Sequence, residues 1–244
     1  MEHAPCISQI ATLLADPKRS AMMWALMDGT ARQSEELALL TGLSPSSANA
    51  HLGRLLSGGL LKVEERGRKR FFRLAAPEIG AAVEALASAT IASSPGKLAG
   101  VFNRTRVPAK AQAAPSSLLR ARLCGEHLGG TLAADLYQRL LDANWLDQLE
   151  KRVAVTHKGA TALAAHGVFI QALAHRHCDI ACACPDWSER RPHLGGPLGT
   201  AVLQLFMQSG WLSLPRDSRA LQVTATGLRE INQFANETEI EVVF

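Results

Sequence analysis

Residues 34 to 74 read SEELALLTGLSPSSANAHLGRLLSGGLLKVEERGRKRFFRL, and the punctuation of this stretch decides the fold of the N-terminal part. Ser34 is placed to cap a short helix through Leu37, Ala38 and Leu40, which Gly42 breaks, and Ser44-Pro45 at once opens another helix running to about Ser57. Two helices joined by a tight glycine-containing turn make a helix-turn-helix. Leu60 to Glu65 and Arg70 to Leu74 then read as extended runs around Arg66-Gly67-Arg68-Lys69, a β-hairpin with a basic tip. Upstream, Ile7, Ile10, Ala11 and Leu14 recur at helical spacing. Asp16 with Pro17 then caps a second helix carrying Met22, Met23, Leu26 and Met27 as far as Gly29. Downstream, Pro77 opens a fifth helix with Ile79, Val83 and Leu86 on one stripe.

Residues 1–90 therefore read as a winged helix-turn-helix domain, mainly α with small β-hairpins. In its fourth helix the 3.6-residue period turns Ala48, Leu52 and Leu55 inward and leaves Ser46, Ser47, Asn49, Ala50, Gly53 and Arg54 outward. A helix that enters a DNA major groove needs this kind of face: short side chains near the base edges, an amide for adenine, an arginine for guanine. Asn49 and Arg54 suit the bases, and Ser46 and Ser47 suit phosphates or base edges at the helix N-terminus. His51 lies at the edge of the inward face, where a half-buried, satisfied imidazole and a base or phosphate contact are both open readings. Arg66, Arg68, Lys69 and Arg70 put a cationic finger beside that helix, suited to the phosphate backbone or the minor groove.

Several local motifs converge on one family. Asp16-Pro17-x-Arg19, Glu36-Leu37-Ala38, His51-Leu52-x-x-Leu55, Gly59-Leu60 and Arg66-Gly67-Arg68-x-x-x-Phe72 together resemble the ArsR family of winged-helix repressors, over roughly residues 5 to 90. The resemblance implies a cytoplasmic homodimer joined through its first and fifth helices, bound to a palindromic double-stranded DNA operator and released by an effector. Both familiar metal sites of that family are missing. The helix before the recognition helix carries Ser34-Glu35-Glu36-Leu37-Ala38-Leu39 where the metal-sensing branch has a Cys-x-Cys pair, and Pro77 to Ser88 contains no His. The long C-terminal half is similar to that of a larger-bodied subgroup with segments like Cys124-x-x-His127-Leu and Cys184-x-Asp186-Trp187.

The chain has 244 residues, 47% apolar, 20% charged and 5% aromatic, which excludes disorder and collagen-like architecture. Lys plus Arg (26) exceeds Asp plus Glu (22) by 4, so the distribution of charge must carry any argument for a polyanionic partner. Met1-Glu2-His3-Ala4-Pro5 has no basic, then apolar, export pattern, and the cytoplasm is expected. The charge-free run from Pro192 to Pro215 is interrupted by glycines, prolines and glutamines, and no membrane partner is expected. Residues 91–117 are rich in Ala, Ser and Pro and read as a linker. From Ile91 to Gly125 the charged residues are all basic, namely Lys97, Arg104, Arg106, Lys110, Arg120 and Arg122. A solvated linker and a phosphate-tracking arm are both open for that run.

Residues 118–244 contain an internal repeat, with copies at about 118–168 and 184–235. His127-Leu128-Gly129-Gly130 recurs as His193-Leu194-Gly195-Gly196, and Trp145-Leu146 as Trp211-Leu212, at an offset of 66. Val155-Thr156-x-x-Gly159 recurs as Val223-Thr224-x-x-Gly227 at an offset of 68. Each copy reads as a long helix, a Trp-Leu strand, a turn, a Val-Thr strand and a closing helix. Such a unit is too small to bury its own face, so the copies are expected to pack as one sensor domain with twofold pseudosymmetry. Neither copy has a basic tip like Arg66 to Arg70, which favours sensing or dimerisation over a second DNA contact.

Five cysteines in a reducing compartment read as free thiols or metal ligands. In the run from His175 to Cys184, Cys178 and Cys182 would share one face of a helix. Cys184 completes a three-sulfur set there, with His175 or His177 as a fourth ligand. A soft divalent metal ion is the one cofactor class this run suits. Core packing of the thiols and a redox-sensing pair, activated by Arg176, are the other open readings. An effector pocket at the repeat junction would draw on Cys124, His127, Trp145, His193 and Trp211, the tryptophans otherwise serving as core anchors. Glu189-Arg190-Arg191 reads either as a solvated helix start or, with Asp186 and Glu189 paired to the arginines, as a lock between the copies. Cys124 with His127, or Cys184 with His193, has the types of a nucleophile and base, but no orienting third group is identifiable, and the expectation is no enzyme. A DNA-binding regulator, a repressor released by a small-molecule or metal effector, is the leading reading; a winged-helix protein-interaction module is the rival.

Overall fold

The computed structural model describes residues 7–93, 114–149, 152–174 and 179–236. Two compact units divide the chain: one within Met1–Leu119 together with Pro215–Ala220, the other within Arg120–Leu214 and Leu221–Phe244.

The first unit opens with α1 (Ile7–Leu14), α2 (Pro17–Ala25), β1 (Arg32–Gln33), α3 (Ser34–Thr41) and α4 (Pro45–Ser57). It continues with β2 (Leu61–Arg66), β3 (Lys69–Leu74) and α5 (Pro77–Ser93). Asp16 caps α2 as its position demands, its Oδ1 accepting from the N–H groups of Lys18 at 2.9 Å and Arg19 at 3.0 Å. α3 starts one residue earlier than its serine suggests. Gln33 is the cap and Ser34 the first helical residue, because the chain leaves β1 directly into the helix. Gly42 adopts φ +62°, and Leu43 N–H donates to Ala38 O at 2.9 Å, closing α3 and re-aiming the chain into α4. The wing is a three-stranded antiparallel sheet in the order β1-β3-β2. The core of the unit includes Met22, Met23, Leu26, Met27, Leu37, Ala48, Leu52, Leu55 and Phe72.

In the second unit the order hairpin, helix, hairpin, helix occurs twice. After α6 (Ser116–Arg120), one copy comprises β4 (Arg122–Cys124), β5 (His127–Gly129), α7 (Thr131–Asp142), β6 (Leu146–Leu149), β7 (Arg152–Val155) and α8 (His157–Ala165). Following α9 (Ile170–Ala174), the other comprises β8 (Cys182–Pro185), β9 (Pro192–Gly195), α10 (Gly196–Gln208), β10 (Leu212–Ser213), β11 (Gln222–Val223) and α11 (Ala225–Gln233). The packing is reciprocal: α7 lies on β9, α10 lies on β5, and β5 and β9 touch. Leu128, Leu132, Leu136, Leu140, Leu194, Leu198, Val202 and Phe206 fill one shared core.

The Val-Thr-x-x-Gly repeat has a physical cause. Thr156 and Thr224 cap α8 and α11, each accepting from the glycine N–H at 2.9 Å. A Cβ on Gly159 or Gly227 would stand 2.0 or 2.2 Å from the carbonyl oxygen of Trp145 or Trp211, so each glycine lets its helix seat on the tryptophan backbone. The opening hairpins are not anticipated by the sequence reading, and β8 corrects it. Cys182 to Pro185 is extended rather than helical, so Cys182 shares a strand face with Cys184 and not a helix face with Cys178. Three of the proposed metal ligands, His175, His177 and Cys178, lie outside the described residues, as do most of the linker and its basic residues Lys97, Arg104, Arg106 and Lys110.

Candidate functional site

Two places gather the chemistry that the sequence singles out, one in each unit. In the first, Ser44 Oγ accepts from Ser47 N–H at 3.3 Å and Pro45 occupies the first turn, fixing the start of α4. Ser46, Ser47, Asn49, Ala50, Gly53 and Arg54 are exposed on its outer face, while Ala48, Leu52 and Leu55 are buried. His51 does not join that face. It is half-buried with Nδ1 3.7 Å from Asp16 Oδ1, against the cap of α2.

The wing pairs Arg66 opposite Lys69 across the two-residue loop Gly67-Arg68, with Gly67 at φ +64°. Arg66 is the braced member of the tip: Nη2 lies 3.1 Å from Glu64 Oε2 and the guanidinium sits 4.8 Å from the Phe71 ring centroid. Arg70 lies 5.6 Å from the Phe72 ring. Arg68 and Lys69 are exposed and make no ion pair among the described residues, so their charge is available to an external anion. Helix and wing share one open concavity of about 420 Å³ lined by Asn49, Gly53, Arg68, Lys69 and Arg70. Gln33, Ser34 and Glu35 also line it. Sequence reasoning missed these three, because only the wing's docking on β1 brings them there.

In the second unit, each opening hairpin presents a cross-strand cysteine–histidine pair, Cys124 opposite His127 and Cys184 opposite His193. The contact of β5 with β9 merges the pairs: Cys124 Sγ, Cys184 Sγ and one ring nitrogen from each histidine all lie within 4.8 Å of one another. The two Nε2 atoms are 3.2 Å apart. The structure thus joins residues that the sequence reading had divided, three from the effector pocket and one from the metal run. Cys182 is exposed and outside this group. A hydrogen bond with Cys184 draws the Cys124 thiol far below its usual range against the penalty of burial, with His127 and His193 adding to the effect. That same bond, with burial, pushes the Cys184 thiol up.

Asp186 sits behind His193, fully buried, with Oδ2 3.0 Å from His193 Nδ1. Its Oδ1 accepts from Arg122 Nη2 at 2.7 Å and from the N–H and Oγ–H of Ser188 at 2.9 and 2.7 Å, and Oδ2 also accepts from Gly130 N–H at 2.8 Å. Burial alone would raise this carboxyl, but hydrogen bonds from His193, Arg122 and Ser188 hold it well below the carboxylate range. Arg122 is itself buried and packs 4.5 Å from the Trp187 ring. The lock between copies therefore differs from the one expected. Asp186 pairs with Arg122, while Arg191 pairs with Asp135 at 2.7 Å and with Glu189 at 3.5 Å. Trp145 packs on Phe234 and His166, and Trp211 on Phe206, as core side chains. The void lined by Leu128, Leu136, Leu194 and Val202 measures about 10 Å³, room for no organic ligand.

No family model matches the chain. A Bacillus subtilis (strain 168) protein described as the uncharacterized HTH-type transcriptional regulator YdfF is 30% identical over 224 residues, covering 91% of this chain and 94% of that one. Among solved structures, the homodimeric winged helix-turn-helix domain of Mb0332 from Mycobacterium bovis, a possible ArsR-family regulator, is 25% identical with a TM-score of 0.32. That match covers 36% of this chain and 83% of that one. The cadmium metal-sensor CMTR from Mycobacterium tuberculosis is 32% identical with a TM-score of 0.29, covering 32% of this chain and 81% of that one. No helix among the described residues is long and apolar enough to cross a membrane. The match to YdfF along nearly the whole chain, with the ArsR motifs seated on a polar α4 and a basic wing, makes the protein a DNA-binding transcriptional regulator of the ArsR winged-helix family.

Proposed function

We propose that the protein is a homodimeric repressor that reads a palindromic operator with α4 and the wing, and leaves it when an effector binds the second unit. The observation that carries this reading is the continuous concavity between Asn49 on α4 and Arg68, Lys69 and Arg70 on the wing. A duplex seated there meets an amide and Arg54 at its base edges, and unpaired cations along its phosphates. Support for the dimer comes from α1 and α5. Helix α1 is apolar along one face yet buries none of its residues, with Ile7 83% exposed, and α5 leaves Leu86 63% exposed. The Mycobacterium bovis domain is described as homodimeric, and the same arrangement would pair these faces here. Release needs only modest coupling: an effector preference of about 1–3 kcal/mol for the non-binding conformer weakens the operator roughly 5- to 150-fold.

Fluorescence anisotropy on duplex DNA from upstream of the protein's own gene tests this. Binding should weaken steeply with salt, with a log–log slope of about −0.9 per phosphate neutralised. Replacing Arg68 and Lys69 by Ala should flatten that slope by about 1.8 per protomer and lower affinity for all sequences alike. A wild-type affinity indifferent to salt, or a slope unchanged in the double variant, would overturn the assignment of the wing. Absence of any complex would favour the interaction-module reading.

A further inference from the structure

We propose that Cys124, His127, Cys184 and His193 are the four ligands of a divalent zinc-class cation that clamps the two copies of the second unit together. This goes beyond the repressor reading and does not rest on it. Two thiols and two imidazoles are the donor set of closed, four-coordinate zinc sites, and a tetrahedral S₂N₂ environment disfavours harder cations such as magnesium and calcium.

The distances fit. With zinc–nitrogen bonds of about 2.0–2.1 Å, two tetrahedral nitrogens stand about 3.3 Å apart, close to the 3.2 Å between the histidine Nε2 atoms. With zinc–sulfur bonds of about 2.3 Å the remaining edges are about 3.5–3.8 Å, so donor pairs within 4.8 Å of one another need to close by at most about 1.0–1.3 Å.

Three further features prepare the site. Asp186 engages His193 through Nδ1, which leaves Nε2 as the nitrogen facing the other donors; this is the carboxylate–histidine arrangement found behind metal ligands. Glycines keep the volume open: a Cβ on Gly195 would stand 3.1 Å from Cys184 Cβ and 3.4 Å from His127 Cε1, and one on Gly199 would stand 3.1 Å from His127 Cβ. Finally, each copy supplies one cysteine and one histidine from directly opposed strand positions, so neither copy alone holds a complete site. An ion bound there cross-links β4–β5 to β8–β9, and its binding free energy adds to the stability of the unit.

The experiment uses the full chain, purified reduced and without chelator. Elemental analysis should find one zinc per chain, and cobalt substitution should give tetrahedral d–d bands with thiolate charge transfer. Cys124→Ala and Cys184→Ala should abolish both, while Cys182→Ser should change neither. Since the alanine variants can fail by unfolding, His127→Cys provides the control: it should keep the metal and add thiolate charge-transfer intensity, as a third sulfur would. On the wild type, zinc should shield Cys124 and Cys184 from alkylation and leave Cys182 reactive. Reduced protein that takes up neither zinc nor cobalt would overturn the proposal and leave a hydrogen-bonded thiol–imidazole core. Binding that survives Cys124→Ala and Cys184→Ala but is lost in Cys182→Ser would overturn it too, placing the metal on the run before β8.

Discussion

Replacing Asp186 by Asn should unfold the second unit far more easily than its single-atom change suggests. The carboxylate is fully buried, and its oxygens receive Arg122 Nη2, the N–H and Oγ–H of Ser188 and the N–H of Gly130, besides facing His193 Nδ1. An asparagine retains one accepting oxygen but presents an N–H₂ group either to the Gly130 N–H or to the guanidinium. Arg122, 1% exposed, then loses the charged partner it holds at 2.7 Å. Breaking a buried pair in this way costs about 3–5 kcal/mol. With an m-value near 2 kcal/mol/M, the urea midpoint should fall by about 1.5–2.5 M. Trp145, Trp187 and Trp211 report on this unit, and Trp24→Phe removes the fluorophore of the first unit. Chelator in the buffer keeps the measurement on the ion pair alone. Arg122→Met should cost a similar amount, and the double variant less than the sum, by about 1–3 kcal/mol, since neither charge is then left without the other. A loss below about 1 kcal/mol in Asp186→Asn, or strict additivity in the double variant, would refute the claim that this pair joins the two copies.

Asn49→Ala should relax discrimination at one base pair by about 1–3 kcal/mol in a competition assay across operator variants, while leaving the salt slope unchanged. Gly159→Ala and Gly227→Ala should each destabilise the second unit by at least about 1–3 kcal/mol on chemical denaturation. The added Cβ meets a tryptophan backbone oxygen at 2.0 or 2.2 Å and cannot be relieved by a rotamer change. Asp16→Ala should cost the first unit about 1 kcal/mol through loss of the α2 cap. The pH dependence has a defined sign. Burial pushes the Asp16 carboxyl up, but the Arg19 N–H, the charges of His51 and Arg19 and the Lys18 N–H hold it below the unfolded value of about 3.9. Its contribution is therefore present above about pH 4 and lost as pH falls further, so wild type and Asp16→Ala should converge in acid unfolding titrations.

The N-terminal unit could be read from sequence almost throughout, because its signals are local. The caps Asp16-Pro17 and Ser44-Pro45, the stop at Gly42 and the loop Gly67-Arg68 each act within one turn of chain, and the structure places them as the periodicity requires. The second unit was readable in its long helices and in the spacing of Trp145, Thr156 and Gly159, but not in its opening hairpins. Strands of three or four residues such as Arg122–Cys124 and Cys182–Pro185 are too short to show alternation. The spacing of Cys178 and Cys182 suggested a helical face, whereas Pro185 opposes a helix running through it and the alternation of Cys182 with Cys184 agrees with the strand that forms.

The split of the cysteine–histidine group between two expected sites follows from the same limit. Its partners are distant in sequence, Cys124 from Cys184 and His127 from His193, and each pair meets only because β5 and β9 touch across the two copies. The signal for that meeting was present in a different form. His-Leu-Gly-Gly recurs with its histidine at the same place, and the reciprocal packing of α7 on β9 and α10 on β5 brings the two strands that carry these histidines into contact. A histidine repeated there is brought towards its own counterpart. The cysteine does not recur at that offset, since the second hairpin carries the longer loop of residues 186 to 191 where the first has Gly125-Glu126. The longer loop supplies Asp186, which reaches both His193 and Arg122 of the other copy, so the departure from symmetry is what orients one imidazole and ties the two halves together.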